Sequence, residues 1–341
     1  MSVMNMLRKA LPAAALPVAV GLAAAGLAAA PAAQAASTTP ARAAATGLHV
    51  TGKIELGQLG SGFSSVLTEA PNGDVYYARG SAVYVVTGNH APVVALHASG
   101  KVLAAAASSS VLFVEVGSKV SGYALRGGRL LRTWTLPSSV QPVTAAGLYV
   151  VGSTVWAFTD WSTDESGFEY ANVDRFSVSS ATVHGVAANS AYPADMAANS
   201  AGLYYEGIAG TGEYIFRAPP AGSLLRHANQ NLDAPLALAA GNVYLLAVHE
   251  NQGGSTYLDA FRGSTVAPLF STRAADNDTD IAGTGIGLLL LGAGKVSLVN
   301  TANGHPGTPL SVPDAVTLVP GPSAAVVTLT HSTTYLLRLA V

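Results

Sequence analysis

One phrase recurs along this chain and limits what the chain can fold into. A small residue or Gly is followed by one or two residues, an apolar residue, an aromatic and further apolar residues. It reads Gly73-Asp74-Val75-Tyr76-Tyr77, then Ser110-Val111-Leu112-Phe113-Val114, Gly147-Leu148-Tyr149-Val150-Val151, Gly202-Leu203-Tyr204-Tyr205 and Gly241-Asn242-Val243-Tyr244-Leu245. Two weaker copies, Gly285-Ile286-Gly287-Leu288 and Ser323-Ala324-Ala325-Val326, have lost the aromatic. Each copy is short, rich in β-branched or aromatic residues and bounded by turn residues, which is the pattern of a strand. The anchors at 76, 113, 149, 204 and 244 are 37, 36, 55 and 40 residues apart.

A second phrase follows the first and ends at a tight turn. Its copies are Val83-Tyr84-Val85-Val86-Thr87-Gly88-Asn89, Tyr123-Ala124-Leu125-Arg126-Gly127-Gly128, Tyr214-Ile215-Phe216-Arg217, Leu258-Asp259-Ala260-Phe261-Arg262-Gly263 and Val296-Ser297-Leu298-Val299-Asn300. Stretches such as Pro92–Leu96 and Leu130–Trp134 then supply a further strand. Four short antiparallel strands in each period of about 40 residues is the pattern of a β-propeller blade. Residues 47–341 hold seven such periods. The expected fold is therefore all-β: a seven-bladed β-propeller of four-stranded antiparallel blades, with a β-helix or two sandwiches as the alternatives. Leu48–Leu56 is expected to complete the ring beside Tyr335–Val341.

The stretches Tyr-Ala-Leu-Arg-Gly-Gly-Arg-Leu-Leu at 123–131 and Val-Asn-Thr-Ala-Asn-Gly at 299–304 resemble repeats of the YVTN/quinoprotein-like group of propellers. The resemblance implies a propeller across the whole mature domain. The quinone-dependent dehydrogenases of the wider group have more blades and a Cys or acidic cofactor site. This chain has no Cys and is too short, so their activity transfers to no residue here.

The first 35 residues read as a secretory signal. Arg8 and Lys9 precede an uncharged apolar run, Leu11–Ala30, and Ala33-Gln34-Ala35 has the form of a cleavage site. A retained anchor is the alternative, because the run approaches spanning length. Residues 36–47 form an Ala/Thr/Pro-rich flexible leader, and 48–341 is the propeller domain. A secreted, bacterial protein is expected, and no later run is long enough to span a membrane. The absence of Cys excludes disulfides, thiolate metal sites and thiol nucleophiles. A net charge of −2 gives no general attraction to nucleic acid.

In a propeller, the loops joining strands 2 and 3 of each blade share a face with those leading to the next blade. Three long loops, 159–172, 206–213 and 248–256, are expected on this face over blades 3 to 5. Such loops on a short-turn scaffold are where binding residues concentrate. Residues 159–280 carry 14 acids and 5 bases, whereas 36–158 carry 4 acids and 8 bases. The expectation is an acidic rim over blades 3 to 5. Its ligand residues would be Asp160, Trp161, Asp164, Glu165, Glu169, Glu206, Glu213, His249 and Glu250. Trp161 beside carboxylates suits sugar stacking or cation–π contact, or it folds back onto its blade. The acids also serve simply to solvate exposed loops. Arg126, Arg129, Arg175, Arg217 and Arg262 are expected on the opposite, basic face.

Asp276-Asn277-Asp278-Thr279-Asp280 begins like a calcium loop, with oxygen ligands at alternate positions. Ile281 then replaces the required Gly, and Gly287 stands where the bidentate Glu belongs. A Ca²⁺ site on Asp276, Asp278 and Asp280 remains open, as does a carboxylate ring of Asp195, Asp233, Asp280 and Asp314 at the channel mouth. His249-Glu250 lacks a zincin's second His, and Gly292-Ala293-Gly294-Lys295 reads as a hairpin turn. The sequence-based expectation is an exported, monomeric binding module, with a protein, peptide or carbohydrate partner on the acidic face. The alternative is a metal-dependent hydrolase or lyase, lactonase-like, with its site at the channel mouth. Non-enzyme is favoured, because no catalytic constellation is specific.

Overall fold

Val, Leu and Tyr dominate the recurring phrases, and every phrase contributes to a strand in the computed structural model. The structure describes residues 47–59, 66–137, 146–163, 169–186, 191–199, 202–209, 212–218, 225–229, 235–249 and 254–341, all within one compact unit, Ala44–Val341. The secretory signal and nearly all of the leader expected before residue 48 lie outside the described residues.

Among the described residues the strands pair into seven four-stranded antiparallel sheets, consistent with the predicted blade number. In chain order, sheet 1 spans 67–97, sheet 2 spans 104–135, sheet 3 spans 146–186 and sheet 4 spans 191–229. Sheet 5 spans 236–273, sheet 6 spans 278–311, and sheet 7 holds three strands within 315–340. The first strand of each sheet lies against the first strand of the next, and Ala315–Val319 returns to Leu67–Glu69. The sheets thus radiate from a ring of seven innermost strands, the arrangement of a β-propeller. The fourth strand of sheet 7 comes from the other end of the chain. His49–Gly57 pairs antiparallel with Thr333–Ala340, as the sequence predicted. That pairing closes the ring by joining the two ends in one sheet, and it removes an open edge.

Each apolar cluster fills one seam between neighbouring sheets. Tyr76 and Ala78 of sheet 1 meet Leu112 and Val114 of sheet 2. Phe113 faces the other way, toward Val155, Ala157 and Phe176 of sheet 3. Tyr204 and Ile215 of sheet 4 meet Val243 and Leu245, and Tyr244 of sheet 5 meets Ile281, Leu288 and Leu290 of sheet 6. Second strands are buried on both faces, as at Val75–Ala78, Val111–Glu115 and Leu288–Leu291, so they read as near-continuous apolar runs and not as alternating ones.

Blade 3 departs from the sequence expectation. The Tyr149 phrase forms its first strand, Ala146–Val151, whereas the same phrase forms the second strand of every other sheet. The second strand is Thr154–Thr163, and Trp156 faces away from sheet 2 as Phe113 faces away from sheet 1. With Trp156 as the anchor, the spacings become 37, 43, 48 and 40, closer to an even period. The misreading arose because Gly147-Leu148-Tyr149 and Ser153-Thr154-Val155-Trp156 both satisfy the phrase, and only pairing separates them.

The anchors also explain why aromatics recur with polar tips. The Tyr204 hydroxyl donates to the Gly263 carbonyl in the 3–4 turn of sheet 5. Tyr244 donates to Thr301 O in the 3–4 turn of sheet 6 at 3.0 Å. Trp134 Nε1 donates to Ser180 O of sheet 3 at 2.7 Å. Each ring fills a seam and ties one sheet to a turn of the next, which satisfies a buried polar tip. At the ring's centre the backbones approach closely. A Cβ on Gly283, in the first strand of sheet 6, would overlap the Leu238 carbonyl of sheet 5.

Candidate functional site

The hairpins joining strands 2 and 3 all emerge on one face, because equivalent strands run the same way around the ring. In sheets 1, 2, 6 and 7 they turn at once: Arg79 pairs with Ala82, Val116 with Lys119, Gly292 with Lys295 and Thr330 with Thr333. Gly292-Ala293-Gly294-Lys295 is therefore a hairpin turn. In sheets 3 and 4 the expected long loops are instead mostly strand, and in sheet 5 the loop is strand at both its ends. The ladder of sheet 3 continues through Thr159↔Asn172 and Trp161↔Ala171 to Thr163↔Glu169. That of sheet 4 runs to Ala209↔Gly212, and that of sheet 5 to His249↔Ser255. Backbone pairing and strand-forming Thr, Tyr and Trp extend these ladders where the sequence offers no apolar alternation to reveal them.

Among the expected ligand residues, Asp160 stands at the register shift between Thr159 and Trp161, in the second strand of sheet 3. Glu169 opens the third strand of that sheet, opposite Thr163. Glu206 is opposite Ile215 in sheet 4, and Glu213 stands between Ile208 and Asn229. Asp164, Glu165 and Glu250 lie outside the described residues. Sheets 3 and 5 thus carry hairpins with five residues beyond the last rung, sheet 4 between them turns as tightly as the rest, and the 2–3 hairpins of these three consecutive sheets hold the expected acids.

His249 is the expected ligand residue whose environment is defined in most detail. It ends the second strand of sheet 5. Its Nε2 lies 2.8 Å from Asp259 Oδ2, and both side chains are nearly buried, at 13% and 9% exposure. The imidazole stacks on Tyr257, with centroids 4.5 Å apart and planes 13° apart. Asp259 belongs to the third strand, opposite Leu245 and Ser271. A carboxylate on one ring nitrogen fixes the tautomer and the ring's direction, and leaves Nδ1 pointing away from that carboxylate. The sequence reading selected His249 but missed Asp259. The available signal was a carboxylate inside the apolar phrase Leu258-Asp259-Ala260-Phe261.

The three aspartates of the calcium-like loop serve separate partners. Asp276 is exposed; its Oδ1 accepts the Thr256 amide at 3.3 Å, and its Oδ2 lies 3.8 Å from Arg273. Asp278 accepts the Ala275 amide at 2.9 Å and closes its own turn. Asp280 reaches across the seam to sheet 7, where it accepts the Thr317 hydroxyl and the Leu318 amide, each at 2.8 Å. Burial raises the Asp278 and Asp280 carboxyls, opposed in part by these hydrogen bonds. Among the described residues, no group of three or more His, Asp or Glu is arranged to hold a metal ion. Asp314 accepts the Thr330 hydroxyl in a turn of sheet 7, apart from Asp280's partners, and Asp233 lies outside the described residues.

Of the arginines expected on the opposite face, Arg126, Arg129 and Arg262 are exposed. Two others are built into the scaffold. Arg217 donates to the carbonyls of Gly263 and Ser264 in the next sheet, and the Arg175 guanidinium lies 5.7 Å from the Trp156 ring centroid.

No family model matches this chain, and no curated protein matches its sequence. Solved structures match its fold. A streptogramin B lyase superposes with a TM-score of 0.58 at 12% identity, covering 86% of this chain and 98% of the lyase. A chain of the mitotic checkpoint complex gives 0.57 at 14% identity, covering 95% of this chain and 98% of that one. The β-propeller domain of Myceliophteria thermophila Cps50 (Swd1) gives 0.55 at 10% identity, covering 82% and 98%. At these identities the likeness carries the fold alone: the chain is a β-propeller.

Proposed function

We propose that the chain is an exported binding propeller whose ligand face is built by the extended hairpins of sheets 3 to 5. The supporting observation is that the 2–3 hairpins of sheets 3 and 5, on either side of sheet 4, leave five residues beyond their last rungs, Thr163↔Glu169 and His249↔Ser255, on a scaffold whose other hairpins turn within four residues. That face takes a basic peptide, a protein patch or a carbohydrate, through Asp160, Trp161, Asp164, Glu165, Glu169, Glu206, Glu213, His249 and Glu250. The propeller neighbours include an assembly component, the mitotic checkpoint complex chain, which accords with a protein-binding role. Carboxylate-rich contacts of this kind weaken as salt rises. The test is binding to arrays of basic peptides and of bacterial glycans at low and high salt. A Trp161→Ala/Asp164→Asn/Glu165→Gln variant is expected to lose a salt-sensitive interaction while keeping its Tm. Undiminished binding by that variant would reject this face.

A second reading rests on the His249–Asp259 dyad. A carboxylate-oriented imidazole is the usual form of a general base, and two lyases are among the neighbours by fold. In that reading His249 Nδ1 removes or delivers a proton at a substrate held under the hairpins, and Asp259 holds the ring. Turnover of lactone or ester substrates that falls at least about 100-fold in His249→Ala would favour it. Equal turnover in the variant would dismiss it.

A further inference from the structure

The outer edges of sheets 1 and 2 expose aliphatic side chains where a solvated rim would be polar. Val93 and Val94 open the fourth strand of sheet 1, Leu130 and Leu131 open that of sheet 2, and all four are between 43% and 61% exposed. Among the described residues ten large apolar side chains are exposed, and the other six lie in or beside sheets 5 and 7. The two pairs border one contact. The sheet 2 turn at Gly127–Gly128 rests on the sheet 1 edge, since a Cβ on Gly128 would lie 2.8 Å from Ala95 O. Each strand shifts register at the same place, at Ala95 and at Leu131. A bulge bends its strand and re-aims the side chains around it, which accounts for aliphatic groups standing outward on both edges.

Arg126, Arg129 and Arg132 flank Leu130 and Leu131, and all three are exposed. Among the described residues none of them is in an ion pair. Sheets 1 and 2 contain three acids, Glu69, Asp74 and Glu115. Glu69 and Glu115 are buried, and Asp74 closes a turn with Asn72. The arginines therefore stand without counter-charge beside the aliphatic groups. An apolar patch rimmed by charge of one sign marks a docking surface, and its partner carries the other sign.

The backbone says what form that partner takes. Beyond the bulge, Arg132, Thr133, Trp134 and Thr135 pair in unbroken register with the third strand of sheet 2, and no described strand pairs with their outer edge. Such an edge offers N–H and C=O groups to an incoming strand. Other edges of comparable length are guarded. In sheet 5, Thr272 donates to Asn303 O of sheet 6 and Arg273 pairs with Asp276. In sheet 7 the outer strand carries charges of both signs, Lys53 and Glu55, and Thr51 O accepts the Asn89 side chain of sheet 1. A lipid surface fits less well, because hydrocarbon leaves the polar groups of a sheet edge without partners. Trp134, the aromatic of this strand, is buried and so is no interfacial anchor. The first 46 residues of the chain carry Arg8, Lys9 and Arg42 and no acid, so their charge opposes this edge. Two copies joined edge to edge would set arginine against arginine.

We propose that the outer edge of sheet 2 accepts an extended acidic segment of a partner protein as a fifth strand. Its carboxylates meet Arg126, Arg129 and Arg132, its aliphatic side chains cover Leu130 and Leu131, and its backbone pairs with Arg132–Thr135. This edge is separate from the hairpins of sheets 3 to 5 and carries the opposite charge, so it does not depend on the ligand face proposed above.

The test applies an array of strand-length peptides, Val or Ile alternating with Thr and flanked by Glu or Asp, to the purified full chain. Matched peptides carry a central Pro or Lys flanks. Acidic peptides are expected to bind in a salt-sensitive manner and to slow amide exchange at residues 132–135. Binding is expected to weaken at least about 10-fold in Arg129→Glu/Arg132→Glu at unchanged Tm, and also in Leu131→Lys, which keeps the edge basic but removes an aliphatic contact. The Trp161→Ala/Asp164→Asn/Glu165→Gln variant is expected to bind these peptides as wild type does, which separates this site from the hairpin face. No binding by any acidic peptide up to about 1 mM would overturn the proposal. Equal binding by the Pro-containing peptides would overturn it too, because charge alone would then suffice. So would undiminished binding in the double arginine variant. Capture by phosphatidylglycerol vesicles, or self-association in sedimentation, that the arginine variant abolishes while the peptides do not bind would assign the edge to a membrane or to a second copy instead.

Discussion

The seam between sheets 7 and 1 is where two distant parts of the chain must hold together, and one ion pair sits at its heart. Arg338, in the third strand of sheet 7, places Nη1 3.0 Å from Glu69 Oε1, with side-chain exposures of 9% and 0%. Arg338 Nη2 also donates to Gly73 O at 3.0 Å, and Glu69 Oε2 accepts the Ser323 amide at 3.0 Å. Gly321 passes close enough that a Cβ there would overlap the Glu69 carboxylate. Replacing Arg338 by Met removes two hydrogen bonds and leaves a buried carboxylate without its counter-charge. Breaking such a pair on one side costs about 3–5 kcal/mol, a large share of a net folding stability of about 5–15 kcal/mol. Replacing both partners, Arg338→Met with Glu69→Leu, removes the stranded charge and is expected to recover much of that loss. Denaturant unfolding of wild type, both single variants and the double variant supplies the full cycle. A single-variant cost below about 1 kcal/mol, typical of a surface pair, would refute the reasoning. So would strict additivity in the double variant.

Three further outcomes follow from other seams. Gly283→Ala forces a Cβ into the Leu238 carbonyl between innermost strands, where backbone and not a flexible side chain is in the way. It is expected to lower stability by about 2 kcal/mol or more, whereas Gly80→Ala, with open space at its Cβ position, loses only what its positive φ costs; urea midpoints compare the two. Tyr244→Phe deletes the hydroxyl's bond to Thr301 and keeps the ring, for an expected loss of about 1 kcal/mol. A loss above about 3 kcal/mol in that variant would mean that the ring itself had moved. Added Ca²⁺ or chelator is expected to leave Tm unchanged, because Asp276, Asp278 and Asp280 already serve separate partners. A calcium-dependent rise that Asp278→Asn abolishes would show that this loop binds the ion after all.

What the sequence discloses about such a fold is what is local. The Gly-apolar-aromatic phrase is set by a turn and a buried strand that are neighbours in the chain, so the period, the tight hairpin at Gly292–Lys295 and the closing role of Leu48–Leu56 could all be read without coordinates. Blade 3 shows the limit. Tyr149 and Trp156 both fit the phrase, and the choice between them is made by which strand reaches the ring's centre. The expected loops of sheets 3 and 4 are mostly strand for a related reason. A strand betrays itself through a buried face, and rungs such as Thr163↔Glu169 are held by backbone bonds between polar residues. The carboxylate seams were the least accessible, because Glu69 and Arg338 are 269 residues apart and nothing near either predicts the other. Yet two of the buried acids left a mark: Glu115 directly follows the apolar phrase Val111-Leu112-Phe113-Val114, and Asp259 interrupts Leu258-Asp259-Ala260-Phe261. Burying a carboxylate there costs several kcal/mol unless a charge or a proton accompanies it. An acid at a packing position in a repeat therefore predicts a partner in the adjacent repeat, and the sheet on whose face it lies says which one to search.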